Sequence, residues 1–241
     1  MLPRLRGREC GMEQDPNTEL RQMMAEVIAL HAQFAKEQLG KDTLDVRVLK
    51  AMAKVPRHEF VPVEIRPYAY VDQPLPIGWN KTISQPFIAA LMADLLDLQP
   101  GDTVLEVGSG LGYHAAVIAE LVDKVFTVEI VEELGTAAKK NLARLGYKSI
   151  KLRIGDGTRG WPEHAPFDKI VVAAGSELIP PMLLQQLKPG GRMVLPTGTA
   201  EAQELMVVMK DAAGKTSTRS VIPVRFAMLE AADEGRVHRV S

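Results

Sequence analysis

The run VLEVGSGLGYHAAVIAEL, Val104 to Leu121, constrains the fold more than any other part of the chain. Apolar, β-preferring residues lead into Gly108, Gly110 and Gly112, and an alanine-rich, helix-forming stretch follows. A strand that turns on glycines into a helix is the opening of a βαβ unit, and such units demand a mostly parallel sheet with covered faces.

The rest of the chain repeats that rhythm. TVLEV, KVFTVEI, SIKLRIGD, FDKIVVAAG and GGRMVLPTG read as strands. YHAAVIAELV, EELGTAAKKNLARLG (stopping at Gly146) and LIPPMLLQQL read as the helices between them. ELMVVMKDAAGKTSTRSVIPVRF differs: two strand-like runs flank the turn DAAGK, so the sheet is expected to end in an antiparallel pair. Upstream, Leu20, Met23, Met24, Val27, Ile28, His31, Phe34 and Ala35 form a period-3.6 stripe from Thr18 to a stop at Gly40, and a short helix follows over Thr43–Lys54. VPRHEFVPVEIRPYAYVDQPLPIG holds too much proline for a helix or a central strand and reads as an irregular surface wrap. A helix restarts at SQPFIAALMADLLDL, with Ser84 as its expected cap and Pro86 in its first turn. The expected organisation is a disordered basic tail over 1–16 and one domain over 17–241. That domain divides into helices and a substrate-side segment (17–100), a cofactor-binding core (101–200) and a C-terminal strand pair (201–241).

The glycine spacing selects the ligand. A dinucleotide loop needs G-x-G-x-x-G, and counted from Gly108 its third glycine falls on Tyr113. The pattern present, E-x-G-x-G-x-G from Glu106, suits S-adenosylmethionine (SAM), which carries no phosphate. Glu106 is placed to meet the ammonium of its amino-acid part. Glu129, at the end of the next strand, is placed to accept both ribose hydroxyls. Asp156, in Gly155-Asp156-Gly157 at the end of the strand after that, is placed to bind the adenine amino group. Three such signals at successive strand ends fall where open α/β sheets bind ligands.

Composition narrows the setting. A formal charge of −1 argues against broad nucleic-acid binding, and a single cysteine, Cys10, rules out an internal disulfide framework. The basic opening has no apolar run behind it and no apolar stretch spans a bilayer, so the expectation is a cytoplasmic monomer engaging neither nucleic acid nor membrane. No metal site is expected.

Several motifs together resemble the protein-L-isoaspartate O-methyltransferase family, over nearly the whole chain from about Asn17. RHEFVP is similar to its RHxFVP, and AYVDQPLPIG with TISQPFIAALM to its AYxDxPLPIGxGQTISQPxxxAxM. GDGTRGWPEHAPFDKIVVAA and QQLKPGGRMVLPTG are similar to its GDGxxGWPExAPFDxIxVTAA and QLKxGGRLVxPVG. The resemblance implies a Rossmann-like class I SAM-dependent methyltransferase. It would methylate the α-carboxylate of L-isoaspartyl residues in damaged proteins and peptides, starting repair through a succinimide. A carboxylate is already ionised at neutral pH, so such an enzyme needs no general base. The family's active-site serine maps onto Ser84, with Thr82 as its companion. The implied cofactor shell is Ile83, Glu106, Gly108, Ser109, Gly110, Gly112, Glu129, Ile130, Gly155, Asp156, Gly157 and Gln203. Arg225 and Phe226 resemble the family's VRF, whose backbone meets the substrate peptide.

The chain departs from the family where Asn80-Lys81 replaces Gly-Gln and where Phe226-Ala227-Met228-Leu229 replaces FVPL. Lys81 would either attract the substrate carboxylate or point to solvent. The alternative reading is a small-molecule SAM-dependent O-methyltransferase on the same fold, which would need no TISQP box.

Overall fold

The computed structural model describes residues 15–232, so the basic tail lies, except for Asp15 and Pro16, outside the described residues. Asp15 forms an ion pair with Arg21. The N-terminal part holds α1 (Thr18–Phe34), α2 (Lys36–Leu39) and α3 (Val46–Lys54). Two 3-10 segments, a hairpin of β1 (Leu75–Gly78) and β2 (Lys81–Ile83), and α4 (Pro86–Leu95) follow. The core alternates β3 (Thr103–Val107), α5 (Tyr113–Ala119), β4 (Lys124–Glu129), α6 (Glu132–Arg144), β5 (Ile150–Ile154), β6 (Phe167–Val172), α7 (Pro181–Gln186) and β7 (Leu187–Gly198). It ends in β8 (Gln203–Lys210) and β9 (Thr216–Val224).

Seven strands form one sheet in the order β5-β4-β3-β6-β7-β8-β9. β5 to β7 are parallel, and β8 and β9 run antiparallel to their neighbours. The order reverses at β3, between β4 and β6, which opens a crevice beyond the strand ends there. Alternation along the strands divides the core into two layers. Leu105 and Val107 of β3 face a cluster with Phe126, Phe167, Ile170 and Leu183 under α7. Val104 faces the larger cluster built with α1, α3, α4 and α5, which includes Met24, Ile28, Met52, Leu91 and Ile118. Trp161 anchors its turn edge-on to Phe126 at 5.5 Å.

Three local differences from the expected pattern have physical causes. The α1 stripe is wider than the surface it meets: Met24, Ile28 and Ala32 are buried, whereas Met23 and Phe34 stay 59% and 77% exposed. The wrap contains the β1–β2 hairpin, which Pro76 and its short strands conceal. Its turn is two residues with positive φ, Trp79 at 50° and Asn80 at 54°, between Gly78 and Lys81, which is the geometry that matches strand twist. Ser84 does not cap α4. The cap position is Gln85, and the cap is supplied from outside by Asp72, whose Oδ1 accepts from Phe87 N at 2.8 Å.

Candidate active site

The glycine loop leaves β3 and folds back over β4: Gly108 N and Ser109 N both donate to Val128 O, at 2.8 and 3.3 Å. Gly110 has φ 54°, and a Cβ there would stand 3.2 Å from Ile77 Cδ1, so the loop packs closely against the β1–β2 hairpin in a conformation that favours glycine. Gly157 is tighter still, with a Cβ position 2.4 Å from Val107 Cγ1. Between these contacts lies a cavity. Its floor is Val107, Gly108 and Val128; Ile130 and Leu134 line one side, Ala173 and Ala174 another, and Ile77, Lys81 and Thr82 of the hairpin stand across from them. Phe226 to Glu230 close the remaining side.

Glu129 is the acid in this cavity. It is 5% exposed; its Oε2 accepts from Gly110 N at 2.7 Å and its Oε1 from Val131 N at 3.0 Å. A carboxylate has about four acceptor sites, so two remain for hydroxyl donors of a ligand. Burial pushes its carboxyl above the ordinary range, against the pull of the Val131, Gly110 and Ile130 amides. A carboxylate that accepts from hydroxyls must be ionised, so cofactor affinity is full above the raised pKa and falls as pH drops through it. We expect the affinity for S-adenosylhomocysteine (SAH) to weaken as pH is lowered from neutral toward the carboxylate range, starting at a higher pH than a free carboxylate would give. The slope should vanish in Glu129→Gln. Calorimetric titrations that stay flat over this interval would remove the ribose role.

The other two acids are not among the residues that line the cavity. Glu106 is fully buried behind the loop, with Oε2 taking the Thr127 hydroxyl at 2.6 Å and Oε1 facing His114 Nδ1 at 3.0 Å. It does not line the cavity; it holds the loop from beneath, because alternation turns it away from the face of Leu105 and Val107. His114 Nε2 faces Ala89 O at 3.1 Å, so this histidine ties the loop to α4. Asp156 uses Oδ1 to cap the Gly157–Arg159 turn through Thr158 N and Oγ1, and Oδ2 accepts from Ala232 N at 3.2 Å.

On the substrate side a second depression is lined by Pro74, Thr82, Ser84, Gln85 and Ile88 from the hairpin and α4, and by Pro223 to Phe226 from the end of β9. Thr82 and Phe226 line both hollows. Among the described residues neither the Thr82 nor the Ser84 hydroxyl has a protein hydrogen-bond partner. Ser84 is fixed through its backbone instead. Arg57, fully buried, donates from Nη2 to Ser84 O at 2.7 Å and from Nε to Ala69 O at 2.8 Å. Its guanidinium lies 4.8 Å from the Tyr113 ring centre, and burial pushes its pKa down. Asp72 holds the next residues: its Oδ2 accepts from Gln85 Nε2 at 3.0 Å and faces His31 Nδ1 at 2.7 Å.

The structure therefore brings together Thr82, Gly108, Gly110, Glu129, Ile130 and Gly157 around one cavity, with Ser84 beside it. Ser109, 5% exposed, keeps a buried hydroxyl with no partner within the loop. Gly112 caps α5 and Gly155 extends β5 by donating to Glu129 O, so both shape the loops without lining the cavity. Ile83 points into the core at 8% exposure, and Ile77 stands where it was expected. Gln203 does not reach the cavity. Its Oε1 accepts from Phe226 N at 2.8 Å and its Nε2 donates to Phe226 O at 3.1 Å, so it clamps the C-terminal segment. Lys81 does not point to solvent; it pairs with Glu230. Ile77, Lys81 and the segment 226–230 were missed as cavity walls, and only the PLPIG match of the first hinted at it.

A glycine loop over the switch point of this sheet, with a buried acid at the end of the neighbouring strand, defines a class I SAM-dependent methyltransferase. The profile of the family described as protein-L-isoaspartate(D-aspartate) O-methyltransferase matches residues 32–234. The chain is 57% identical over 216 residues to protein-L-isoaspartate O-methyltransferase 1 of Polaromonas sp. (strain JS666), covering 90% of this chain and 92% of that protein. It is 50% identical to protein-L-isoaspartate O-methyltransferase 2 of Syntrophobacter fumaroxidans, covering 95% of this chain and 93% of that one. A solved protein-L-isoaspartate O-methyltransferase superposes with a TM-score of 0.75 at 28% identity, covering 88% of this chain and 66% of that chain. The fold is shared with a Plasmodium falciparum protein solved with SAH, at a TM-score of 0.72 and 23% identity over 88% of this chain and 99% of that one. The chain belongs to the protein-L-isoaspartate O-methyltransferase family. Among the described residues no helix is long and apolar enough to cross a membrane.

Proposed function

We propose that the cavity and the adjoining depression are the cofactor and substrate halves of one carboxyl-methylation site, joined at Thr82 and Phe226. The enzyme methylates the α-carboxylate of L-isoaspartyl residues with SAM as donor, and the ester's collapse to a succinimide begins repair. The observation that carries the site assignment is the junction itself: Thr82 lines both hollows and Ser84 lines the second, and among the described residues neither hydroxyl has a protein partner.

The residues fit the cofactor. Glu129 has free acceptor sites for a ribose, Ile130 and Leu134 offer an apolar wall for an adenine, and the unpartnered Ser109 hydroxyl lies in the loop expected beside the amino-acid part. Asp156 is the adenine partner and Glu106 the support beneath the loop. Bound there, SAM supplies an electrophilic methyl group. Thr82 and Ser84 donate hydrogen bonds to the substrate carboxylate and fix which oxygen faces that methyl. Phe226 and the hairpin keep water from the junction. Arg225, exposed on the depression, lies along the path of the peptide chain. The partners on this reading are isoaspartyl chains alone, met by a monomer in the cytoplasm.

The test offers labelled SAM with an isoaspartyl peptide and with its normal aspartyl twin. Methylation of the first and not of the second is expected. Equal labelling of both, or labelling only of small organic acids or phenols, would favour the small-molecule methyltransferase instead.

A further inference from the structure

The C-terminal segment lines the cofactor cavity with residues 226–230 and is held at two levels. Its root is stitched by backbone. Gly175 N donates to Ala227 O at 2.8 Å, Leu229 N donates to Gly175 O at 2.7 Å, and Gln203 grips Phe226 from the other side. Its end is held more lightly. Beyond Leu229, among the described residues, the polar contacts are the Lys81–Glu230 ion pair at 2.5 Å and the hydrogen bond from Ala232 N to Asp156 Oδ2 at 3.2 Å.

Both Lys81 and Glu230 line the cavity, and they come from two different elements, the β1–β2 hairpin and the C-terminal segment. The ion pair therefore ties these two walls of the cavity together. The second contact is of another kind. Asp156 already gives Oδ1 to Thr158, so Oδ2 is the oxygen that faces outward for an adenine amino group; Ala232 N donates to it, and Arg159 Nε pairs with it at 3.6 Å. A bound adenine competes with Ala232 N for that oxygen, and among the described residues of the segment the ion pair is then the polar side-chain contact that remains beyond Leu229.

We infer that residues 226–232 are a strap over the cofactor and that the Lys81–Glu230 pair is its latch, which sets how fast SAH leaves after each turnover. The inference rests on the cofactor occupying this cavity. Lys81 and Glu230 are positioning residues: they act on the exchange of the cofactor through the strap. The side chain of Lys81 is 20% exposed and that of Glu230 57%, so the latch is a solvent-accessible pair of modest strength that salt screens. A weak latch suits a step that must open once per cycle. It predicts a change in rate of about two- to fivefold, not a loss of function.

The experiment follows SAH release by rapid displacement from the full-length protein. Lys81→Gln and Glu230→Gln are each expected to speed release about two- to fivefold, and the double variant no more than either alone. The charge exchange Lys81→Glu with Glu230→Lys should return release toward the wild-type rate, which loss of a cavity wall would not do. Raising the salt concentration should speed release from the wild type and leave the double variant unmoved. Equal release rates in all variants, with SAH still bound at equilibrium, overturn the latch and leave the site reading intact. Failure of the wild type to bind SAH at all takes down both. A higher KM for the isoaspartyl peptide in Lys81→Gln alone, with unchanged SAH release, would make Lys81 a substrate-carboxylate contact and overturn the latch.

Discussion

Replacing Arg57 by alanine is expected to lower stability by about 3–5 kcal/mol, which is a fall in Tm of roughly 10 °C for a chain of this size. The guanidinium is fully buried and serves two carbonyls, Ala69 O and Ser84 O. Each carbonyl left without a donor costs about 1–3 kcal/mol, and the emptied space beneath Tyr113 adds to that. Lysine does not rescue it, because one ammonium cannot reproduce the planar fork that reaches two carbonyls at once. The kinetic effect on the folded fraction should fall on peptide methylation more than on SAH affinity, since Ser84 loses its anchor while Glu129 keeps both of its amides. A melting curve that overlays the wild type would refute this account.

Ser84→Ala should lower kcat/KM for an isoaspartyl peptide about tenfold to a hundredfold and leave SAH affinity nearly intact. The hydroxyl lost is a donor to a charged group, worth roughly 1.5–3 kcal/mol. The loss stays below that of a general base because no proton moves in the methylation step. Thr82→Val should act in the same direction, and the double variant should fall short of the product of the two if both hydroxyls hold one carboxylate. The structure sharpens the test by removing the competing role for Ser84. Asp72 caps α4, so Ser84→Ala should leave Tm close to the wild type. A lowered Tm with normal kinetics would take Ser84 out of the site.

Much of the cofactor half was legible in the chain because its residues sit at strand ends, and strand ends are set by local patterns. Gly108, Gly110, Glu129 and Gly157 follow directly from the βαβ rhythm and all line the cavity. Glu106 was readable as an acid at a strand end, but not as one buried beneath the loop. It stands between Leu105 and Val107 on a strand, so its side chain goes to the opposite face. Arg57 carried no such signal: its partners are main-chain carbonyls, which every residue has, and a buried arginine without a carboxylate is uncommon. The strap was hidden for a different reason. Lys81 and Glu230 are 149 residues apart, and their meeting depends on where the β8–β9 meander returns the chain. Gln203 was placed near the cofactor by resemblance, whereas its amide matches the backbone of Phe226, which sequence spacing does not disclose.

Asp72 gathers α1 through His31, the residue after Ser84 through Gln85, and the start of α4 through Phe87. The part recognisable by family profile begins at residue 32, inside α1 and one residue beyond His31. A shortened chain cut at that border would keep every motif that marks the family. It would also lose His31 and the buried Met24 and Ile28, which seat the N-terminal layer against α4. The border of what can be recognised and the border of what seats the N-terminal layer are two different lines along this polypeptide.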